Sequence, residues 1–510
     1  MAAVVAERDQ LQHDNQALTE RLNALEHQLA WFKRQLFGQT SERRPVDPPP
    51  EQLNLGEIAG ATGDKPSPTR TIPAPTRRAT ARPAPEADES TPFFDDGVPV
   101  ETIHVPAPEA DATAEIVSEK ISYRLAQRPA SYVVLKYVRP VIKQPDDKQL
   151  LSAPAPDGVL GTSRADVSFI AGLIIDKLAY HLPLYRQHQR LAAAGIEISR
   201  PWLTQLFHQA AGLLEPIHEA QLDSIRASRV IAIDETPIKA GRKGKGKLKT
   251  GYFWPVYGEA DEIGFVYHPS RGQQHVIDTL GRSPPADRVL ISDGYSAYAR
   301  YAEATGLTHA QCWSHTRRKF IQAETAEPDA VAQALDWFGR LYAVEVEIRA
   351  AGLTGTAKKR DRLDHAQPIV AAFFAWVDEQ LADQGLLPSN PLTTALGYAR
   401  DRRLGLEIYL TDPEVPIDTN HLERALRAIP MGRKAWLFCW SEVGAKDVGI
   451  LQSLITTCRL HGINVYDYLV DVLQRIDRHP ASDVAALTPR LWQQQFADQP
   501  LRSDLHRTSD

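Results

Sequence analysis

The spacing of apolar residues changes character several times along the chain. From Leu11 they occupy two interleaved seven-residue series, Leu11, Leu18, Leu25 and Phe32 on one and Leu22, Leu29 and Leu36 on the other. These are the d and a positions of a coiled coil. Asn15 takes the a position before Leu22, where a buried amide fixes register and favours a parallel dimer. A dimerisation helix is therefore predicted over 1–44, with a single amphipathic helix packed on the rest of the chain as the other reading. Strand-like runs follow at Ile121-Ser122-Tyr123 and from Tyr132 to Val138, bounded by Arg128-Pro129 and Arg139-Pro140. Helical spacing then runs from Ala165 to about Ala179 and resumes near Leu184. It breaks at Gly195 and restarts after Ser199, a capping residue, to about Leu214. Helix, glycine turn, and a helix opening Ser-Arg-Pro-Trp outline a helix-turn-helix, and equally a plain helical bundle.

At Arg229 the period switches from helix to strand. Val230-Ile231-Ala232-Ile233 reads as a short buried strand, Gly251 to Tyr257 and Ile263 to Tyr267 as the next two, and Arg288 to Ser292 as another after an intervening helix. That order predicts an α/β domain. From Phe320 to about Leu410 the pattern is helical again, with Trp337, Phe338, Leu341, Tyr342 and Val346 on one side. Trp436, Phe438 and Trp440 alternate as a strand would place them, which predicts core packing.

Composition alters this picture in one segment. Between Pro45 and Pro108 lie 14 of the chain's 37 prolines, so this stretch buries too little apolar surface to offset its ordering entropy and is predicted to be a mostly disordered linker over 45–112. Over all 510 residues, 43% hydrophobic and 24% charged are ordinary for a soluble chain of about three folding units. Three cysteines, Cys312, Cys439 and Cys458, leave no disulfide framework and suit a reducing compartment. No run of 18 apolar residues occurs and no apolar segment follows Glu7 and Asp9, so a cytoplasmic protein without a membrane partner is expected.

The candidate chemistry lies at strand ends. Ile231-Ala232-Ile233 runs into Asp234, and Leu290-Ile291-Ser292 into Asp293, 59 residues later. A carboxylate closing an apolar strand costs desolvation unless it holds a cation or caps a turn. Each acid alone is ambiguous between these roles; the pair favours a metal. Glu423, on a helix that Asp418-Thr419-Asn420 would cap, supplies a third oxygen ligand, with Arg424 and Arg427 nearby. Two Asp and a Glu suit a pair of Mg²⁺ ions, with Mn²⁺ as substitute, and two such ions serve in-line displacement at phosphorus. Local charge agrees. Lys239, Arg242, Lys243, Lys245, Lys247 and Lys249 form an acid-free, glycine-rich run read as a flexible basic loop. The block from Arg229 to Lys319 holds 14 Lys+Arg against 9 Asp+Glu, +5 within a chain of −6. A solvated loop is the plain alternative, but the run's position beside the carboxylates points to double-stranded DNA.

These residues resemble a known family. Asp234-Glu-Thr-Pro, the Lys/Gly run ending Lys249-Thr-Gly-Tyr252, Ser292-Asp-Gly-Tyr295, Cys312-Trp-Ser-His315-Thr-Arg-Arg-Lys-Phe320, and Asn420-His-Leu-Glu423-Arg-Ala-Leu-Arg427 through Gly432-Arg-Lys-Ala-Trp436-Leu-Phe438 are similar to the transposase of the insertion-sequence-66 family. So are Tyr180-His-Leu-Pro-Leu-Tyr-Arg-Gln187 and Ser453-Leu-Ile-Thr-Thr-Cys-Arg-Leu-His-Gly462. The resemblance spans about 116–492 plus the leucine helix. It implies an RNase H-like DDE domain over 226–450, interrupted by an all-α insertion at about 320–410 that accounts for the 130 residues between Asp293 and Glu423. It also implies a small β segment over 113–160, a helical DNA-binding domain over 161–225, a C-terminal helical segment over 451–498 and a disordered tail over 499–510. Asp234, Asp293 and Glu423 would be the metal-binding triad. The activity implied is hydrolysis of one strand at each element end, then attack of the freed 3′-hydroxyl on target DNA. Small accessory proteins of the element and a homodimeric or larger synaptic complex are the partners implied.

Cys312-x-x-His315 is similar to a motif of insertion-bearing DDE transposases, which gives His315 a supporting catalytic role; a buried structural histidine is the other reading. Arg317, Arg318, Lys319, Arg433 and Lys434 join the candidate DNA contacts, Arg433 and Lys434 toward phosphates. Family members often carry a cysteine-bearing zinc segment where this chain, from Pro108 to Pro156, has no cysteine, so no zinc is expected. Two rivals remain. His315-Thr-Arg-Arg318 with Tyr342 is the outline of a tyrosine recombinase, which leaves the three acids without a task. A non-catalytic DNA-binding descendant of a transposase would use only the coiled coil and the helical block.

Overall fold

The computed structural model describes residues 93–506, apart from 97, 106–114, 129–130, 144–149, 157, 162, 245–246 and 384. The leucine series over 1–44 lies outside the described residues. Residues Asp88–Asp510 form one compact unit.

Order begins earlier than the proline content predicts. Strand β1 (Val100–His104), inside the segment read as linker, pairs in parallel with β3 (Ser131–Lys143), while β2 (Glu115–Arg128) and β4 (Leu150–Ser152) pair with β3 antiparallel. Val133, Val134 and Leu135 are all buried, so β3 is covered on both faces. Leu125 and Val134 belong to the main core, while Ala126, Val133, Leu135 and Tyr137 enclose Leu505. Leu505 is fully buried and Ser503 Oγ donates to Asp166 Oδ1 at 2.6 Å. The C-terminal segment predicted to be a loose tail therefore packs on this sheet over its described part, because it carries one apolar anchor and a polar clasp.

Helices α1 (Val167–Leu178), α2 (Leu184–Ala193) and α3 (Arg200–Ala227) follow. Asp166 caps α1 and Ser199 caps α3 by accepting from Trp202 N–H. Between α1 and α2, the buried amide of Gln187 donates to the carbonyls of Leu173 and Leu182, which accounts for one residue of the Tyr180–Gln187 motif. Gly195, at φ 78°, makes the left-handed turn into α3 that a Cβ would oppose. α3 runs well past Leu214, since the apolar stripe through Ile217, Leu222 and Ile225 continues into the core.

The second sheet is built from β5 (Val230–Ile233), β6 (Thr236–Gly244), β7 (Lys247–Tyr257), β8 (Ile263–His268), β9 (Val289–Ser292) and β10 (Thr308–Gln311). β5 and β6 follow one another along one edge of β7, and β8 pairs with the other edge. β9 and β10 extend the sheet beyond β5 in parallel. Helices α4 (Gln273–Leu280) and α5 (Ser296–Thr305) connect these strands. The strand β6 corrects the reading of 239–249 as a flexible loop. Thr236, Ile238 and Ala240 face inward while Pro237 and Lys239 face out, an alternation that the run of cations and glycines from Lys239 onward hides in the sequence.

After β10 the chain is helical: α6 (Trp313–Ala323), α7 (Pro328–Ala350), α8 (Gly355–Asp361), α9 (Gln367–Ala382), α10 (Pro391–Asp401) and α11 (Arg403–Thr411). Trp313, Phe320, Phe338, Phe373 and Phe374 pack edge-on and tilted about a common centre, an aromatic core that orients these helices. A single π turn, Arg362–Ala366, joins α8 to α9 and buries Arg362 completely.

Helices α12 (Asn420–Leu426), α13 (Ala428–Trp436), α14 (Glu442–Leu460), α15 (Val465–Arg475) and α16 (Pro489–Gln495) complete the unit. α14 runs through position 450, where a domain boundary was expected, and lies on the edge strand β8. Ser453 Oγ accepts from Phe265 N–H at 2.8 Å, Thr457 Oγ1 accepts from Ile263 N–H at 3.2 Å, and Gln221 Nε2 donates to Ile263 O at 2.7 Å. These side chains satisfy the free backbone groups of an edge strand that would otherwise pair with another chain. Trp436 ends α13 and Trp440 is exposed. The strand expected through Trp436, Phe438 and Trp440 is thus corrected, as is the core packing of Trp440, while Trp436 does pack against the core: the helical hydrogen bonds of α13 extend through Trp436, and the only β pairing of the segment beyond, among the described residues, is a bridge from Cys439 to Ala240. Among the described residues no helix is long and apolar enough to cross a membrane.

Candidate functional site

The site begins with register. β5 and β9 pair in parallel, Val230 with Val289, Ile231 with Leu290 and Ala232 with Ile291. Both strands therefore leave the sheet at the same edge, and the carboxylates of Asp234, Glu235 and Asp293 each place one oxygen within 4.8 Å of the others. Asp234 Oδ1 accepts from Glu235 N–H at 2.7 Å and Asp293 Oδ1 from Tyr295 N–H at 2.9 Å. Burial, with Glu235 and Asp293 beside it, pushes the Asp234 carboxyl up to about 7 against the pull of His315. Three crowded carboxylates form a site of oxygen donors that fits a hard divalent cation.

Glu423 comes from α12. His315 Nε2 lies 3.5 Å from its Oε1, and Arg318 Nη2 lies 3.1 Å from its Oε2. Burial opposes charge on His315, but Cys312, Asp234 and Glu423 around the ring outweigh it and push the imidazole up to about 10. The three acids whose oxygens lie within 4.8 Å of one another do not include Glu423; the charge on His315 acts on Asp234 and on Glu423 alike. Cys312 Sγ accepts from the N–H and hydroxyl of Thr419, both at 3.3 Å, so the start of α6 is tied to the start of α12. Asp418 Oδ1 accepts from Asn420 N–H at 3.0 Å, the capping turn expected ahead of Glu423.

Several groups at the site carried no sequence signal of their role. Glu235 has both oxygens engaged, by Arg271 and by the Tyr298 hydroxyl; burial, then Asp293, raises its pKa, while Tyr298 and Arg271 pull it down. Its place next to Asp234 was the one available hint. From the helical stretch, Tyr398 accepts from Gly294 N–H at 3.1 Å, Arg402 donates to Gly294 O at 3.1 Å, and the Arg402 guanidinium lies 3.8 Å from the Tyr398 ring centroid. The turn that aims Asp293 is thus clamped from α10. A side chain on Gly294 would run into Arg402.

The basic candidates divide. Lys239, Arg242 and Lys243 lie on β6, Lys247 and Lys249 on β7, and Lys245 is outside the described residues. Lys239 and Arg242 are exposed on the hairpin, and Lys249 pairs with Glu442 at 2.9 Å. Arg317, Arg318 and Lys319 are half-buried on α6, where Arg318 serves Glu423 and Lys319 lies over the Tyr398 ring. Arg424 and Lys434 are exposed, Arg427 is half-buried, and Arg433 donates to Pro237 O. Tyr342, the nucleophile of the recombinase outline, is held protonated by burial and by Asp418, and His315 and Arg318 face Glu423 instead.

Residues 162–447 match the family model "Transposase IS66 family", 453–490 match "IS66 C-terminal element", and 24–103 match "Transposase C of IS166 homeodomain". The chain is 27% identical over 496 residues to the Sinorhizobium fredii protein named uncharacterized protein y4jD, covering 92% of this chain and 94% of that one. It is also 27% identical over 520 residues to uncharacterized protein y4qI of the same organism, covering 96% and 92%. With more than half of its length matched by the transposase model itself, the chain belongs to the IS66 family of transposases.

Proposed function

We propose that this chain is the catalytic transposase of its insertion sequence, binding the element's ends, hydrolysing a phosphodiester there and joining the freed 3′-hydroxyl to target DNA. The observation that carries the reading is the in-register parallel pairing of β5 with β9, which gathers Asp234 and Asp293, while His315 and Arg318 hold Glu423 on α12. Sheet order supports an RNase H-like fold, with β5 continued by β6, then β7 and β8 antiparallel in turn, followed by β9 and β10 parallel to β5, and α6–α11 as its helical insertion.

Asp234, Asp293 and Glu423 would hold two Mg²⁺ ions, or Mn²⁺ in their place, which when bound lower the cost of charge on the attacking and leaving oxygens. The remaining work falls to the chain. Asp234 gives up its proton as the site fills. Arg318 and His315 hold Glu423 in place, and Arg271 and Tyr298 engage the two oxygens of Glu235 beside the Asp pair. In the first step the oxygen of water bonds to phosphorus and the bond to the 3′ oxygen breaks, leaving a 3′-hydroxyl and a 5′-phosphate. In the second, that hydroxyl attacks a target phosphate and displaces a target 3′ oxygen. No covalent enzyme intermediate is needed.

Lys239, Arg242, Lys247 and Lys434 would contact phosphates, a contribution that steepens salt dependence without reading sequence. The helices over 161–225 would engage the ends, and the N-terminal leucine helix would bring two copies together. Asp234→Asn, Asp293→Asn and Glu423→Gln should each abolish Mg²⁺-dependent cleavage of element ends while retaining end binding in gel-shift assays. Unchanged cleavage in any one removes that residue from the triad. Loss of cleavage in Tyr342→Phe with the fold intact would favour the recombinase chemistry instead.

A further inference from the structure

Between α13 and α14 the chain does something costly. Leu437 closes α13 at φ 64° and ψ −50°, a backbone conformation that side chains other than glycine rarely adopt. The segment that follows is held on both sides. Cys439 N–H donates to Lys239 O at 2.9 Å, which fastens it to β6, and Ser441 Oγ caps α14 by accepting from Gly444 N–H at 3.0 Å. Held this way, the segment turns its large apolar groups outward: Leu437 is 63% and Trp440 68% exposed. Phe438 packs edge-on beneath the indole, ring centroids 4.9 Å apart and planes at 89°.

The surroundings are cationic. Arg242 lies 5.9 Å from the Trp440 ring centroid. Lys239 is exposed on the same hairpin and Lys434 is exposed on α13, while the adjoining acid, Glu442, is neutralised by Lys249. An exposed aromatic group among cations suits a polyanion with flat apolar faces better than a purely apolar protein partner. A flat aromatic face, rigidly presented beside groups that would track a phosphate chain, suits an unpaired nucleobase.

We propose that Trp440, supported by Phe438 and Leu437, is a stacking platform for a base unpaired from the DNA duplex near the cleavage site. This rests on the transposase reading and deepens it, adding recognition of strand opening to the acid cluster. Distance along the backbone sets where that base lies. Residues 234–239 run from the acid cluster to the Cys439 bridge as extended chain, at most roughly 17 Å at about 3.3 Å per residue. At about 3.4 Å per nucleotide step, the unpaired base is within about five steps of the scissile phosphate.

The test uses the full-length protein and two probes of one sequence: a fully paired duplex, and the same duplex with a short mismatch bubble containing 2-aminopurine. The native protein should prefer the bubble and quench the 2-aminopurine. In Trp440→Ala the ratio of the two affinities should fall by roughly five- to hundredfold and quenching should vanish, while Trp440→Phe keeps most of both. A thermal melt identical to native shows that the exposed substitution leaves the fold intact. An unchanged ratio in Trp440→Ala overturns the platform. Equal native affinity for both probes overturns it too, while leaving the transposase reading in place. No binding to either probe at low salt overturns both readings. A change in sedimentation with no change in the ratio makes the patch a contact between copies of the chain and overturns the base-binding role.

Discussion

The Nε2 of His315 lies 3.5 Å from Oε1 of Glu423, a contact that sets a side chain of α6 against an acid of α12. The imidazole carries a charge there because Cys312, Asp234 and Glu423 outweigh its burial. If it positions Glu423 and is not itself a ligand, His315→Gln should lower cleavage by about 10- to 100-fold while Mn²⁺ affinity holds or rises, one repelling charge having been removed. Glu423→Gln should lower Mn²⁺ affinity instead. Titrations of Mn²⁺ binding on both variants separate the roles, and a parallel loss of affinity in His315→Gln would make it a ligand.

If Asp234 is a ligand of the proposed metal site, uptake of the cation is proton-linked. The Asp234 carboxyl is raised from 3.8 to about 7 by burial and neighbouring acids, so a cation entering at pH 6 must displace a proton that is already gone at pH 8. Calorimetric titrations of Mn²⁺ in buffers of different ionisation enthalpy should show about one more proton released at pH 6 than at pH 8, and affinity falling about tenfold per pH unit below 7. The sign for the metal-free protein is opposite. Between its ordinary value and 7 the unfolded chain loses this proton while the folded site keeps it. The stability it contributes is therefore full below about 4 and lost as pH rises through 7. Equal proton release at both pH values would remove Asp234 as the linked group.

Arg362 is the buried strut of the helical insertion. Its Nε and Nη2 meet Glu345 at 2.7 and 3.0 Å, and Nη1 donates to the carbonyls of Tyr409 and Val415 at 2.7 and 3.0 Å. Glu345→Ala leaves a guanidinium buried without its counter-charge and should cost about 3–5 kcal/mol by chemical denaturation. A loss under about 1 kcal/mol would mean that the carbonyls alone suffice.

α14 approaches β8 so closely that a side chain at Gly449 would run into the carbonyl oxygen of Phe265. Gly449→Ala should therefore destabilise the protein by about 1–3 kcal/mol, although alanine is ordinarily the better helix former by about 1 kcal/mol. Stabilisation in a thermal melt would show that the two elements can separate at no cost.

What the sequence determined was local. Apolar runs ending in Asp234 and Asp293, the switch of period at Arg229, and the helical stripes of α1, α3 and the insertion are legible because pleat and helix repeat over a few residues. Where the pairing partner is distant, that legibility fails. β6 reads as a basic loop because its cations and glycines hide the alternation that pairing with β7 satisfies, and β1 sits in a proline-rich stretch because β3 supplies its hydrogen bonds. Trp440 has strand-like spacing yet stands exposed beside Arg242, since nothing within a few residues of it records where the core ends. Tertiary structure alone decided that Glu235 is held by Arg271 and Tyr298, that Tyr398 and Arg402 clamp the turn after Asp293, and that His315 and Arg318 meet Glu423. Those groups lie tens to more than a hundred residues apart, and only the in-register pairing of β5 with β9 and the packing of the helices on that edge bring their charges within reach of one another.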